Sequence, residues 1–257
     1  MREQLERIAG IVADKIASLP DGFSGDKEVG MGASGAATSE IDKIVEDAII
    51  GFVKKEKMRF NILSEEAGSV DLGGDRTLVV DPVDGTANFH AGIPFYSVSL
   101  AVGKSKLNDV THGLVRNLVT GETYYAEKGK GAWLDGRKIT TRKFKKASSL
   151  FLAFVGNRTS PLTWKVVEMP RRVRSLGCAS LEMCLVASGG ADGFYFNCQD
   201  FDKRMRIVDI AASALILREA GGELFGLDGK VLDMKFTLGE KVNFLALGDS
   251  GIKEMVR

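Results

Sequence analysis

Thr77-Leu-Val-Val-Asp81-Pro-Val-Asp84-Gly85-Thr86-Ala-Asn88-Phe89 is the stretch on which the reading of this chain turns. An apolar, β-branched run has the composition of a buried strand. It delivers two carboxylates three residues apart, and a glycine and a threonine follow at once. Pro82 stiffens the corner, so both acids are expected on one side. Two acids fixed at a strand end do not both ionise cheaply unless a cation sits between them. Gly85 lets backbone approach an anion, and the N–H groups freed there can hold phosphate oxygens. Asp-Pro and Asp-Gly are also ordinary turn dipeptides. The apolar strand before them and the Gly-Thr after them favour a site over a bare turn. Acids for a metal beside amides for a phosphate is the wiring of metal-dependent phosphoryl chemistry.

Other acids are placed to join them. Glu65 and Glu66 end the short apolar run Phe60–Leu63, and a multi-metal site needs such a second cluster, although Glu-Glu pairs are commonly solvated. Asp209 opens the helical pattern Ile207–Ala220. A first-turn acid ordinarily complements the helix dipole. The small residues behind it would let this helix pack deep and bury Asp209, where a bare carboxylate needs a cation. Asp42 follows Ser39 at capping-box spacing; the alternative is that it holds a hydroxyl such as that of Thr86. Gly30-Met-Gly32-Ala-Ser-Gly35 matches a dinucleotide fingerprint, but no strand is expected before it and no βαβ unit around it, so the glycine-rich segment Gly22–Ala37 reads as a loop.

Working outward, 2–19 and the segment from Thr38 or Ser39 read as amphipathic helices. Residues 94–139 read as meandering strands of an antiparallel sheet, with Asp135-Gly136 as a hairpin turn. From Leu150 onward strands and helices alternate. The expected organisation is an α+β half, 1–145, that carries the antiparallel sheet and metal site. An α/β half, 146–257, would complete the metal and substrate site.

The 257 residues are 44% hydrophobic and 27% charged, an ordinary globular balance. A net charge of +1 gives no field for nucleic acid or an anionic membrane, and neither partner is expected. No apolar run reaches spanning length. Charges at Arg2, Glu3, Glu6 and Arg7 break the apolar core of a signal peptide, and three cysteines without a Cys-x-x-Cys pair suit a reduced cytoplasmic protein. Only two histidines are present, so chemistry is expected to run on carboxylates and hard, oxygen-ligated cations.

Taken together, Ser64-Glu65-Glu66, Asp81–Phe89, Gly177-Cys178-Ala179, Gly189–Asp192 and Val208-Asp209 with Glu219–Gly222 resemble the inositol monophosphatase family. That family comprises lithium-sensitive, Mg²⁺-dependent sugar phosphatases. The resemblance implies a layered α-β-α-β-α sandwich and a homodimer. It implies two to three Mg²⁺ ions, with Mn²⁺ as a substitute. Glu65, Asp81 and the Val83 carbonyl would hold the first ion; Asp81, Asp84 and Asp209 would hold the second. Glu65 would also touch a third. Thr86, supported by Asp42, would position the attacking water, and Glu65 completes the catalytic set. Gly85 and Thr86 amides would hold phosphate. Gly177, Cys178 and Ala179, with Asp84 and Asp209, would contact substrate. Arg204-Met-Arg-Ile-Val-Asp209 resembles microbial members acting on both myo-inositol 1-phosphate and fructose 1,6-bisphosphate. Phe196 stands where typical members carry an acid that grips inositol hydroxyls. Asp200, Asp202, Lys203 or Arg204 is expected to read the sugar instead.

The expected reaction is hydrolysis of a small phosphate monoester by a metal-activated water. Alternatives are the same fold acting on 3′-phosphoadenosine 5′-phosphate or NADP, and a non-catalytic binding protein. A haloacid-dehalogenase-type site wants its acids two apart, and here they are three apart. A glycosidase wants carboxyls on opposite sides of a sugar bond, about 5 Å apart or more.

Overall fold

The computed structural model describes residues 1–20, 22–33, 35 and 37–256. Helix α1 (Arg2–Ala17) is followed by strands β1 (Glu28–Met31) and β2 (Ala37–Ser39), then by helix α2 (Glu40–Lys55). β1 and β2 pair as an antiparallel ribbon, so the expected loop from Gly22 to Ala37 is in part a hairpin. All four β1 residues are exposed, and pairing through backbone alone leaves no apolar alternation to read. A strand does run into the dinucleotide fingerprint, against expectation, but it pairs back antiparallel on its neighbour, and among the described residues it opens no βαβ unit. Asp21, Ser34 and Ala36 of the segments discussed above lie outside the described residues.

Next come β3 (Phe60–Ser64), β4 (Gly68–Val70), β5 (Arg76–Asp84), the short helix α3 (Thr86–His90), β6 (Ser97–Gly103), β7 (His112–Asn117), β8 (Thr123–Glu127), β9 (Gly131–Leu134) and β10 (Arg137–Ile139). Eight of these strands form one sheet in the order β10-β9-β8-β7-β6-β5-β3-β4. Its pairs are antiparallel except β3 with β5. Asp135 and Gly136 both have positive φ, 48° and 77°, as the β9–β10 hairpin turn requires.

The remaining elements are β11 (Leu150–Ala153), α4 (Leu162–Val167), β12 (Arg172–Arg174), α5 (Ala179–Ala187), β13 (Gly193–Phe196), α6 (Ile207–Glu219), β14 (Glu223–Gly226), β15 (Phe244–Leu247) and α7 (Lys253–Val256). A second, mixed sheet runs β12-β11-β13-β15-β14.

Side-chain alternation explains the layers. Leu78 and Val80 of β5 pack with Leu5, Ile8, Val45 and Ile49 of α1 and α2, whereas Val79 packs with α5 and α6. The opposite faces of α5 and α6 meet Phe194, Leu224 and Phe244 of the second sheet. Val166 of α4 and Val256 of α7 close its outer side. The layers are therefore α-β-α-β-α. Because α6 lies between two sheets, it is apolar all round and buried from Ile207 to Leu217.

Small residues let α6 in. A Cβ on Gly113 of β7 would lie 2.7 Å from the Ala212 carbonyl oxygen and 3.1 Å from its Cα. Neither atom belongs to a side chain that could turn away. Gly113→Val should therefore cost about 3 kcal/mol in urea unfolding, at the upper end for overpacking. A loss below about 1 kcal/mol would show that α6 is not seated this closely.

Candidate active site

The parallel pair β3/β5 builds the centre. Its register sets Ser64 opposite Val80. The next residues, Glu65 and Asp81, therefore emerge at the same end of the sheet. β5 does not stop at Asp81 as a turn would; it continues to Asp84 through a bulge. Asp81 pairs with Ser99 and Asp84 with Ser97, so three steps on β5 match two on β6. In a regular strand, residues three apart face opposite sides. The extra residue, beside a proline that cannot donate to the ladder, restores both acids to one face. α6, seated by Gly113, brings Asp209 up from below.

Carboxylate oxygens of Glu65, Asp81 and Asp209 lie within 4.8 Å of one another. Burial pushes Asp81 well above the usual carboxylate range, and the Asp84, Glu65 and Asp209 charges add to it. Burial, then Asp209, raises Glu65 to about 8, against the opposing pull of Arg206. Burial raises Asp209 to about 7, although the Arg206 N–H donates to its Oδ2 at 2.5 Å. Arg206 Nη1 also reaches Glu65 Oε1 at 3.3 Å. One guanidinium among several buried acids leaves negative charge unmet. The donors are all hard oxygens. This set fits a divalent cation of the oxygen-loving kind.

Asp84 stands beside this trio with its carboxylate turned to the start of α5. Oδ2 accepts from the Ser180 amide (2.6 Å), the Ser180 hydroxyl (2.5 Å) and the Cys178 thiol (3.2 Å), and Oδ1 from the Ala179 amide at 3.3 Å. Burial raises its pKa and these bonds oppose the rise. Ser97 extends the chain of hydroxyls, 2.7 Å from Ser180 Oγ.

Ser39 caps α2 and its hydroxyl donates to Asp42 Oδ2 at 2.7 Å. The other Asp42 oxygen is 3.3 Å from Thr86 Oγ1, so capping and hydroxyl-holding coexist. The closer acceptor for the Thr86 hydroxyl is the Val83 carbonyl, at 2.8 Å. A carbonyl has two lone pairs, so this contact leaves one for a further partner. Burial raises Asp42. Gly85 has φ 89°, and a Cβ there would press on Cys178 Cβ at 3.1 Å, so glycine is required twice over. Asn88 staples the 176–178 loop to this corner, donating to Leu176 O (2.7 Å) and Phe95 O (2.8 Å). The Cys178 side chain is fully buried and faces Asp84 and Ser97, not the open site.

Two cavities meet at Asp84. One, about 250 Å³, is walled by Glu65, Asp81, Asp209 and the Gly85–Thr86 corner. Its neighbour, about 440 Å³, is walled by Gly177, Ala179, Phe154 and Phe196.

Sequence reasoning missed four contributors. Arg206 was visible only as part of a motif. Ser180, directly after the Gly177–Ala179 loop, carried a signal in its position at a helix start. Glu46 is buried within the apolar face of α2 and accepts from the Glu66 and Ala67 amides (3.2 and 3.1 Å). Glu182, an acid inside an apolar helix, accepts from the Leu176 amide at 3.0 Å, and burial raises it to about 8.

A five-layer sandwich with a carboxylate centre at a bulged strand end defines a class of hydrolase scaffold. Residues 2–254 match the inositol monophosphatase family, and the chain belongs to it. It is 37% identical to a fructose-1,6-bisphosphatase/inositol-1-monophosphatase of Archaeoglobus fulgidus, over 94% of this chain and 91% of that one. A protein of the same description from Thermococcus kodakarensis is 34% identical over 92% and 88%. A solved inositol monophosphatase–fructose 1,6-bisphosphatase superposes with TM-score 0.86 at 31% identity, covering 99% of this chain and 97% of that one.

Proposed function

We propose that this protein is a Mg²⁺-dependent phosphomonoesterase for small sugar or cyclitol phosphates, fructose 1,6-bisphosphate or myo-inositol 1-phosphate. The convergence of Glu65, Asp81 and Asp209 from three separate elements carries this reading. These residues, with Asp84 and the Val83 carbonyl, would hold two to three ions. When bound, such ions screen the phosphate's charge and lower the pKa of water.

The chain's own groups do the rest. The Gly85 and Thr86 amides hold phosphate oxygens. Thr86 Oγ1 accepts a hydrogen bond from the attacking water, while Val83 O and Asp42 Oδ1 compete for its own proton. Asp42, with its raised pKa, is placed to take a proton through Thr86. Monoester hydrolysis needs on the order of 20 kcal/mol of barrier lowering. No single side chain supplies that, so removal of any centre residue should be severe. The resemblance also carries a homodimer and lithium sensitivity into this reading; the cysteine usage adds a cytoplasmic setting, and the change in strand–helix pattern a division near residue 145.

The test is phosphate release with Mg²⁺ from fructose 1,6-bisphosphate, myo-inositol 1-phosphate and NADP. A sugar or cyclitol phosphate should be hydrolysed, chelator should stop the reaction, and added Mg²⁺ should restore it. No release from any of the three would overturn the reading.

A further inference from the structure

The segment between β13 and α6 carries five charged residues, and four are already committed, Arg206 to Glu65 at 3.3 Å. Asp200 caps its own turn, accepting from the Asp202 amide at 3.0 Å, and pairs with Arg158 at 3.3 Å. Asp202 pairs with Lys241 at 2.6 Å. Arg204 Nε donates to the Cys198 carbonyl at 3.2 Å, and its guanidinium lies 5.4 Å over the Phe201 ring. Lys203 Nζ makes no hydrogen bond or ion pair among the described residues. Among those residues it is also the one basic side chain bordering both cavities.

The second cavity offers little to a polyol. Phe154 and Phe196 form its floor with ring centroids 4.8 Å apart. Its two carboxyls are both engaged, Glu182 by the Leu176 amide and Asp84 by the start of α5. Hydroxyls entering there meet the neutral side chains of Asn157 and Ser175 but no uncommitted carboxylate among the described residues, whereas an anionic group finds an uncommitted ammonium at the junction. We infer that Lys203 is a specificity-determining residue that binds a second phosphate on the leaving group. A bisphosphate is then preferred over a monophosphate whose leaving group is neutral. This rests on the phosphatase reading above.

The experiment measures kcat/KM for fructose 1,6-bisphosphate and myo-inositol 1-phosphate with Mg²⁺, using the full chain and its Lys203→Ala, Lys203→Arg and Lys203→Glu variants. Lys203→Ala should lose about 10- to 100-fold on the bisphosphate, the range for deleting a charged hydrogen-bond partner. It should lose less than about twofold on the inositol ester. Lys203→Arg should retain most of the preference and Lys203→Glu should abolish it. Equal losses on both substrates, or none on the bisphosphate, would overturn the assignment while leaving the phosphatase reading intact. If the unaltered chain cleaves neither, that reading fails first.

Discussion

Asp81→Asn should reduce phosphate release by at least about 10²–10³-fold, the scale for removing one preorganised electrostatic group, and should make the metal-free protein harder to unfold at alkaline pH. The two effects share one cause. Asp81 is the most central of the acids: Asp84, Glu65 and Asp209 all raise its pKa, after burial itself. Asparagine keeps the shape and removes the charge. Metal affinity and the repulsion that strains the empty centre should therefore fall together. Asp84→Asn separates the roles. Its carboxylate accepts bonds from two α5 amides, one hydroxyl and one thiol. Helix caps of this kind are worth about 0.5–2 kcal/mol. That variant should lose activity and stability alike. Isothermal calorimetry with Mg²⁺, phosphate assays and urea melts at about pH 8 read all three quantities. Near-normal turnover in Asp81→Asn would remove the centre from the reaction.

Much of this was legible before any coordinates. Apolar runs ending in acids marked β3 and β5, and the small residues of α6 foretold its deep seat. Other features depend on long-range geometry that local pattern does not carry. Nothing in Phe60–Ser64 says that it runs parallel to β5, yet that register sets Glu65 beside Asp81. Pro82 read as the stiffener of a turn; it sits in a bulge because β6 offers one residue where β5 has two. The β1–β2 ribbon was missed because β1 is exposed along its whole length and so shows no apolar alternation. Asp84 illustrates the same limit. Its spacing from Asp81 announced a shared cation, but only the fold reveals a second partner, the start of a helix almost a hundred residues later.

Stability without metal should fall as pH rises from about 6 to 8.5, and saturating Mg²⁺ should flatten that slope. Glu65 and Asp209 have folded-state pKa values raised to about 8 and about 7, chiefly by burial. Unfolded carboxyls titrate near 4. A raised folded pKa means that the native state binds more protons than the unfolded chain. The stabilisation is thus complete below about pH 4 and is lost as pH passes through 7 to 8. Even half of the Glu65 rise corresponds to about 2 kcal/mol, or about 5 °C in Tm for a chain of this size. His112, lowered by burial, runs in the opposite sense, but its window closes near 6.5. Glu182, raised to about 8, adds to the downward slope in either condition, because it lies outside the acid trio and engages the Leu176 amide. The informative quantity is therefore the difference between melts in chelator and in Mg²⁺ across the pH range. A cation takes the place of the protons, so that difference should grow toward alkaline pH. Parallel pH profiles with and without Mg²⁺ would mean that the carboxylates do not share a metal.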